Sequence, residues 1–114
     1  MEVRQESYVT RGALVIPMPR ELDHHSSGEI RDNLDMMLAA RGIRRVVLDF
    51  TETEFMDSAG IGLVLGKYKR VKSFGGQMAV SGANERVLRI MRMSGICQIV
   101  NVYATTRQAL EANR

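Results

Sequence analysis

The chain has too little of several residues to build some familiar protein classes. Its single cysteine, Cys97, leaves no internal disulfide framework and suits a reducing cytoplasm. Cys97 sits in the apolar context Gly95-Ile96-Cys97-Gln98-Ile99, so a buried, inert thiol is expected. Tryptophan is absent, and three Phe with three Tyr are poor material for stacking on nucleic-acid bases. No stretch approaches the roughly 18 consecutive apolar residues that cross a bilayer. The opening Met1-Glu2-Val3-Arg4-Gln5-Glu6 mixes acid and base, unlike a secretory signal. The glycines never assemble into G-x-x-x-x-G-K-[ST] or G-x-G-x-x-G. There is no C-x-x-C, and His24-His25 has no second ligand pair at usable spacing, so neither metal nor cofactor is expected.

What remains is ordinary globular material. The 114 residues, 45% apolar and 25% charged, fit one compact domain over 1–114. The net charge is +3 with a pI near 9.4. Arg41, Arg44, Arg45, Lys67, Lys69, Arg70, Lys72, Arg86, Arg89 and Arg92 are spread over several elements and interleaved with acids. They read as solvated faces, with direct nucleic-acid binding a minor alternative; an acidic partner surface is a further hypothesis. No membrane association is expected.

Strand and helix patterns alternate along the chain. Ser7–Thr10 and Ala13–Ile16, split by Arg11-Gly12, suggest a hairpin, after which Pro17 and Pro19 stop strand pairing. Ser26 and Glu29 have capping-box spacing, which predicts a first helix beginning after Ser26. Its stripe is Ile30, Leu34, Met37 and Leu38, and Gly42 closes it. Arg45–Phe50 is continuously apolar enough for a central strand. A second helix is predicted over Ser58–Ser73, with Ile61, Val64, Leu65, Tyr68 and Val71 inward, ended by Gly75-Gly76. Gln77–Ser81 is a strand and Asn84–Met93 a helix burying Val87, Leu88 and Met91. Ile99–Val102 is a short fifth strand, and Thr105 with Gln108 caps a last helix through Ala112. The order indicates an α/β fold with a mixed sheet of four to five strands and about four helices.

Phe55-Met56-Asp57-Ser58-Ala59-Gly60-Ile61-Gly62 is the most informative segment. It places a hydroxyl where a strand hands over to a helix, near free N–H groups and the positive end of the helix dipole. Ser58 alone reads as an N-cap. Gly60 and Gly62, however, fall in the first turn, where each costs up to about 1 kcal/mol relative to Ala. Such a break in local rules concentrates at functional sites, and bare glycines allow close approach by a partner. Asp57 beside the hydroxyl disfavours a constitutive anion site and suits a reversible switch. Ser58 is therefore read as a regulatory phosphoacceptor. It is not a G-x-S-x-G nucleophile elbow, so a hydrolase using His24 or His25 as base ranks far behind.

These residues carry a resemblance. The loop Glu21-Leu22-Asp23-His24-His25 resembles the loop after the second strand of STAS domains, specifically of bacterial anti-sigma factor antagonists of the sporulation stage II AA type. Val46–Phe50 with Phe55–Gly62 resembles their strand and phosphoacceptor turn. Gly75-Gly76-Gln77-Met78 and Met93-Ser94-Gly95-Ile96 resemble their later turns. The resemblance implies a STAS fold and a non-enzymatic, cytoplasmic phosphoprotein that works by partner switching. It further implies that the unphosphorylated form binds an anti-sigma factor serine kinase, which then releases its sigma factor and permits transcription. That kinase phosphorylates Ser58, and a serine phosphatase restores binding. Asp23, His24, Asp57, Ser58, Ala59, Gly60, Ile61 and Gly62 are the implied partner-binding residues. No catalytic residue is implied, and the protein is expected to be a monomer or weak dimer. Rival readings are a STAS scaffold in stress signalling and an accessory subunit in lipid transport. Arg20 stands where the family commonly has glycine, and Pro17 and Pro19 crowd the strand before it.

Overall fold

The computed structural model describes residues 6–112, without the side chains of 38–41. The Met1–Gln5 stretch and the side chains of Leu38 and Arg41 thus lie outside the described residues. The chain runs β1 (Tyr8–Thr10), β2 (Ala13–Pro17), β3 (Glu21–Leu22), α1 (His24–Arg41), β4 (Arg45–Asp49), β5 (Phe55–Met56), α2 (Ser58–Ser73), β6 (Gln77–Ser81), α3 (Glu85–Met93), α4 (Ile96–Ile99), β7 (Asn101–Tyr103) and α5 (Thr106–Ala112). Five strands form one mixed sheet in the order β1-β2-β4-β6-β7, as the alternating pattern implies. Only β1 is antiparallel to its neighbour. Arg11 and Gly12 both take positive φ, 51° and 75°, the two-residue turn that matches strand twist.

Strand pairing runs further than the prolines suggest. Pro17 belongs to β2 and sits opposite Asp49, and the Met18 amide still donates to the Asp49 carbonyl at 2.7 Å. The ladder alternates sides, so the N–H that Pro17 lacks would face the β1 side. Pairing with β1 has already ended there, at Tyr8 opposite Val15.

The sheet buries both faces. Leu14, Ile16, Val46, Leu48, Met78 and Val80 point into the main core, where Leu34, Leu63, Val64, Val71, Val87 and Met91 of α1, α2 and α3 cover them. Val15, Val47 and Ala79 point the other way and meet Ala109 of α5. Along α2 the fully buried set is Gly60, Leu63, Val64, Lys67 and Val71; Ile61, Leu65 and Tyr68, expected inward, are only half-buried flanks. Leu88 is likewise half-buried, as is Cys97, so its thiol is not sealed in the core.

Three local elements differ from expectation. Ile99 ends the one-turn helix α4, which Gly95 introduces at φ +87°, so the last strand starts two residues later, at Asn101. The helix α1 begins at His24, not after Ser26. Asp23 is the N-cap and Ser26 the reciprocal member of the box, donor and acceptor roles running between Asp23 and Ser26 instead of Ser26 and Glu29. Finally, β3 and β5 form a separate two-stranded parallel pair outside the main sheet. Two-residue strands leave no periodicity to read.

Candidate functional site

The small β3–β5 pair builds the site. Glu21 lies opposite Phe55 and Leu22 opposite Met56, and the Asp57 amide continues the ladder to the Leu22 carbonyl at 3.2 Å. Leu22 and Met56 are buried, while Glu21 and Phe55 face outward. Each strand passes straight into a helix through an aspartate, so Asp23 and Asp57 stand side by side as the N-caps of α1 and α2. The two positive helix ends therefore open on the same surface.

Both aspartates spend their side chains on capping. One carboxylate oxygen of Asp23 accepts from the amides of His25 at 3.0 Å and Ser26 at 3.1 Å. Ser26 Oγ accepts from the Asp23 amide at 3.1 Å and donates to the Glu21 carbonyl at 2.9 Å. Asp57 accepts from the amides of Ala59 at 2.8 Å and Gly60 at 3.4 Å. Asp57, not Ser58, thus caps α2. Ser58 is the first helical residue, exposed, and its hydroxyl makes no hydrogen bond to any described residue. The capping explanation for this serine falls away.

The Ser26 amide, above all, holds the Asp23 carboxyl below its ordinary 3.8; desolvation opposes this, and the His25 amide, the Ser26 hydroxyl and the His25 charge add to the lowering. A carboxyl lowered on folding contributes stability above its unfolded value and loses it as pH falls through the folded value. The N-terminus of α1 is therefore expected to stay capped until pH drops below the ordinary aspartate range. The amide signals of His25 and Ser26 should titrate together there in NMR, and Asp23→Asn should abolish that titration. A midpoint at or above 3.8 would contradict the capping geometry.

The other expected residues divide by exposure. His24 and Gly62 are exposed, Ala59 and Ile61 half-buried, and Gly60 buried. A Cβ on Gly60 would collide with Met56 Cγ and lie 2.9 Å from the Leu22 carbonyl oxygen. Gly60 accordingly closes α2 against the β3–β5 pair and does not bare a surface to a partner. Gly62 is exposed, with nothing within 4 Å of its would-be Cβ. The His24 and His25 rings sit edge to face, centroids 6.0 Å apart, and neither hydrogen-bonds Ser58 among the described residues. Nothing in this arrangement orients a base onto the hydroxyl.

Phe55 and Arg20 flank the site in ways that their sequence positions alone do not specify. Phe55, 46% exposed, presents an aromatic ring on the strand leading to Ser58. The alternation of outward Phe55 with buried Met56 carries that signal, but over only two residues. Arg20 needs no glycine backbone, since Arg11 is the sole non-glycine with positive φ among the described residues. Its carbonyl accepts from the Glu54 and Phe55 amides, and its side chain pairs with Glu54, tying the loop before β3 to β5.

The family description "STAS domain" matches residues 4–109. The anti-sigma F factor antagonist of Paenibacillus polymyxa is 37% identical over 110 residues, 96% of this chain and 94% of that protein. The solved structure of the anti-sigma factor antagonist SpoIIAA in its unphosphorylated form superposes with a TM-score of 0.82 at 29% identity, covering 95% of this chain and 93% of that one. The phosphorylated form of the Bacillus cell fate determinant SpoIIAA gives 0.75 at 28% identity, covering 96% and 98%.

Proposed function

The chain belongs to the STAS domain family, and on that premise we propose that it is an anti-sigma factor antagonist switched by phosphorylation of Ser58. In this reading the unphosphorylated protein binds an anti-sigma factor that is also a serine kinase. The bound anti-sigma factor gives up its sigma factor, and transcription follows. Phosphoryl transfer to Ser58 ends the interaction, and a serine phosphatase renews it. The protein itself is a cytoplasmic regulator without catalysis of its own.

The observation that carries this reading is the position of Ser58. It is exposed on the first turn of α2, and Asp57 has already taken the capping role, so the hydroxyl is committed to nothing internal. The flanking surface supplies His24, the caps Asp23 and Asp57, half-buried Ala59 and Ile61, and bare Gly62, all within two adjoining helix starts. A phosphate there would gain about 0.3–1 kcal/mol from the helix dipole, so it does not threaten the fold. It acts instead on the interface, through bulk, desolvation and about −1.5 to −2 added charge.

Affinity capture from host lysate with wild type and Ser58→Asp tests the proposal. Wild type is expected to retain a small kinase-like anti-sigma factor that Ser58→Asp releases. Retention of one large common assembly by both forms would instead make the chain a scaffold subunit.

A further inference from the structure

One buried charge is unused by the site as described. Lys67, on α2, is only 5% exposed, and its ammonium lies 2.6 Å from Oδ1 of Asp35 on α1, whose side chain is 40% exposed. No other hydrogen bond of Lys67 occurs among the described residues. Burying an ammonium is costly, and an apolar pair of similar volume is often as stable or more so. The best-attested use of such a pair is to specify register.

Beyond their linked N-terminal ends, α1 and α2 meet through apolar side chains of the shared core. At their N-termini they are joined through the short strands β3 and β5, two residues each. Among its described large apolar side chains, α1 fully buries only Leu34, while Ile30 and Met37 are half-buried and Met36 points out. Contacts spaced three and four residues apart recur every turn and tolerate a slip of about 5.4 Å. A single buried ammonium does not. Asp32, one turn from Asp35, is exposed, so the observed register selects Asp35. The spacing also matches: Asp35 is twelve residues beyond Asp23 and Lys67 ten beyond Asp57, roughly 15–18 Å along each helix. The ion pair thus supplies the second point of attachment, far from the first.

We propose that Lys67 and Asp35 are a positioning pair that holds Asp23 and His24 in register with Ser58, and so sets the shape of the face offered to the partner. The effect on partner affinity rests on the functional reading above; the effect on register does not. Neither residue needs to touch the partner.

The test compares Lys67→Met, Lys67→Arg and the double variant Asp35→Leu with Lys67→Met, each in the full chain. In Lys67→Met the remaining carboxylate reaches water, and in the double variant no charge is left unpaired, so at least one apolar form should fold. The expected result is unchanged or higher thermal stability with displaced His25 and Ser26 amide signals relative to those of Ala59 and Gly60. The anti-sigma factor retained by wild type should bind the apolar variants about tenfold more weakly, and Lys67→Arg should restore both readouts. Apolar variants whose His25 and Ser26 signals coincide with wild type would overturn the proposal. So would loss of stability in the double variant with unaltered binding, since that marks a purely structural pair. If wild type retains no such factor, the functional reading fails while the amide signals still decide the register.

Discussion

Gly60→Ala is expected to destabilise the domain by about 2 kcal/mol, although the same change usually helps a helix. Two effects of opposite sign compete. Alanine in a helix gains up to about 1 kcal/mol over glycine. Against that, the new methyl collides with Met56 Cγ and meets the Leu22 carbonyl oxygen at 2.9 Å and Leu22 Cγ at 3.1 Å. Overpacking of this kind costs about 1–3 kcal/mol, and backbone oxygen cannot rotate away as a side chain can, which favours the upper end. The net loss corresponds to a fall in Tm of roughly 8 °C for a domain of this size. Gly62→Ala, one half-turn on, meets nothing within 4 Å and should raise Tm by a few degrees. Thermal unfolding of the two variants side by side gives the answer. If both are stabilised, the closure of α2 on the β3–β5 pair is wrong. The expected damage in Gly60→Ala is also local, because displacing Leu22 moves Asp23 and with it the start of α1.

Stoichiometric phosphorylation of Ser58 is expected to weaken binding to the anti-sigma factor by roughly 100-fold, about 2.8 kcal/mol. Ser58→Ala should bind like wild type, because the hydroxyl has no partner to lose among the described residues. The loss comes from desolvating and repelling a dianion inside an interface, where juxtaposed like charges cost several kcal/mol. The domain itself should hardly change. Asp57 continues to cap Ala59 and Gly60, and the phosphate sits where the helix dipole favours it. Backbone amide shifts should therefore change for residues 57–62 and the first turn of α1 and stay fixed along β2, β4 and β6. Shifts throughout the sheet would replace a surface switch on a rigid scaffold with a conformational one.

Long elements declared themselves through periodicity: α2 runs Ser58–Ser73 and β6 runs Gln77–Ser81, as their apolar spacing requires. The Thr105–Gln108 box also holds, each side chain bonded to the other's amide, because capping is a local exchange between residues three apart. Gly42 closes α1 in the left-handed conformation for an equally local reason. The position of Ser58 at a strand-to-helix junction followed from the same patterns.

Choices between equivalent local options needed the third dimension. Ser26 and Glu29 have the spacing of a capping box, and so do Asp23 and Ser26 in this fold; the extended backbone at Leu22, fixed by pairing with Met56, selects the second. Ser58 and Asp57 are both good caps, and the ladder bond from the Asp57 amide to Leu22 leaves Asp57 extended and Ser58 helical. Gly60 and Gly62 look alike in sequence, yet only one faces Leu22 and Met56. Lys67 reads as one solvated base among many until α1 brings Asp35 against it. The sequence by itself determined the succession of the longer strands and helices, the serine's place at a strand-to-helix junction and the family pattern, because those depend on contacts within a few residues. Only the tertiary structure decided which aspartate caps, which glycine is packed and which lysine is buried, because each of those depends on a partner more than thirty residues away along the chain or on strands too short to leave a period.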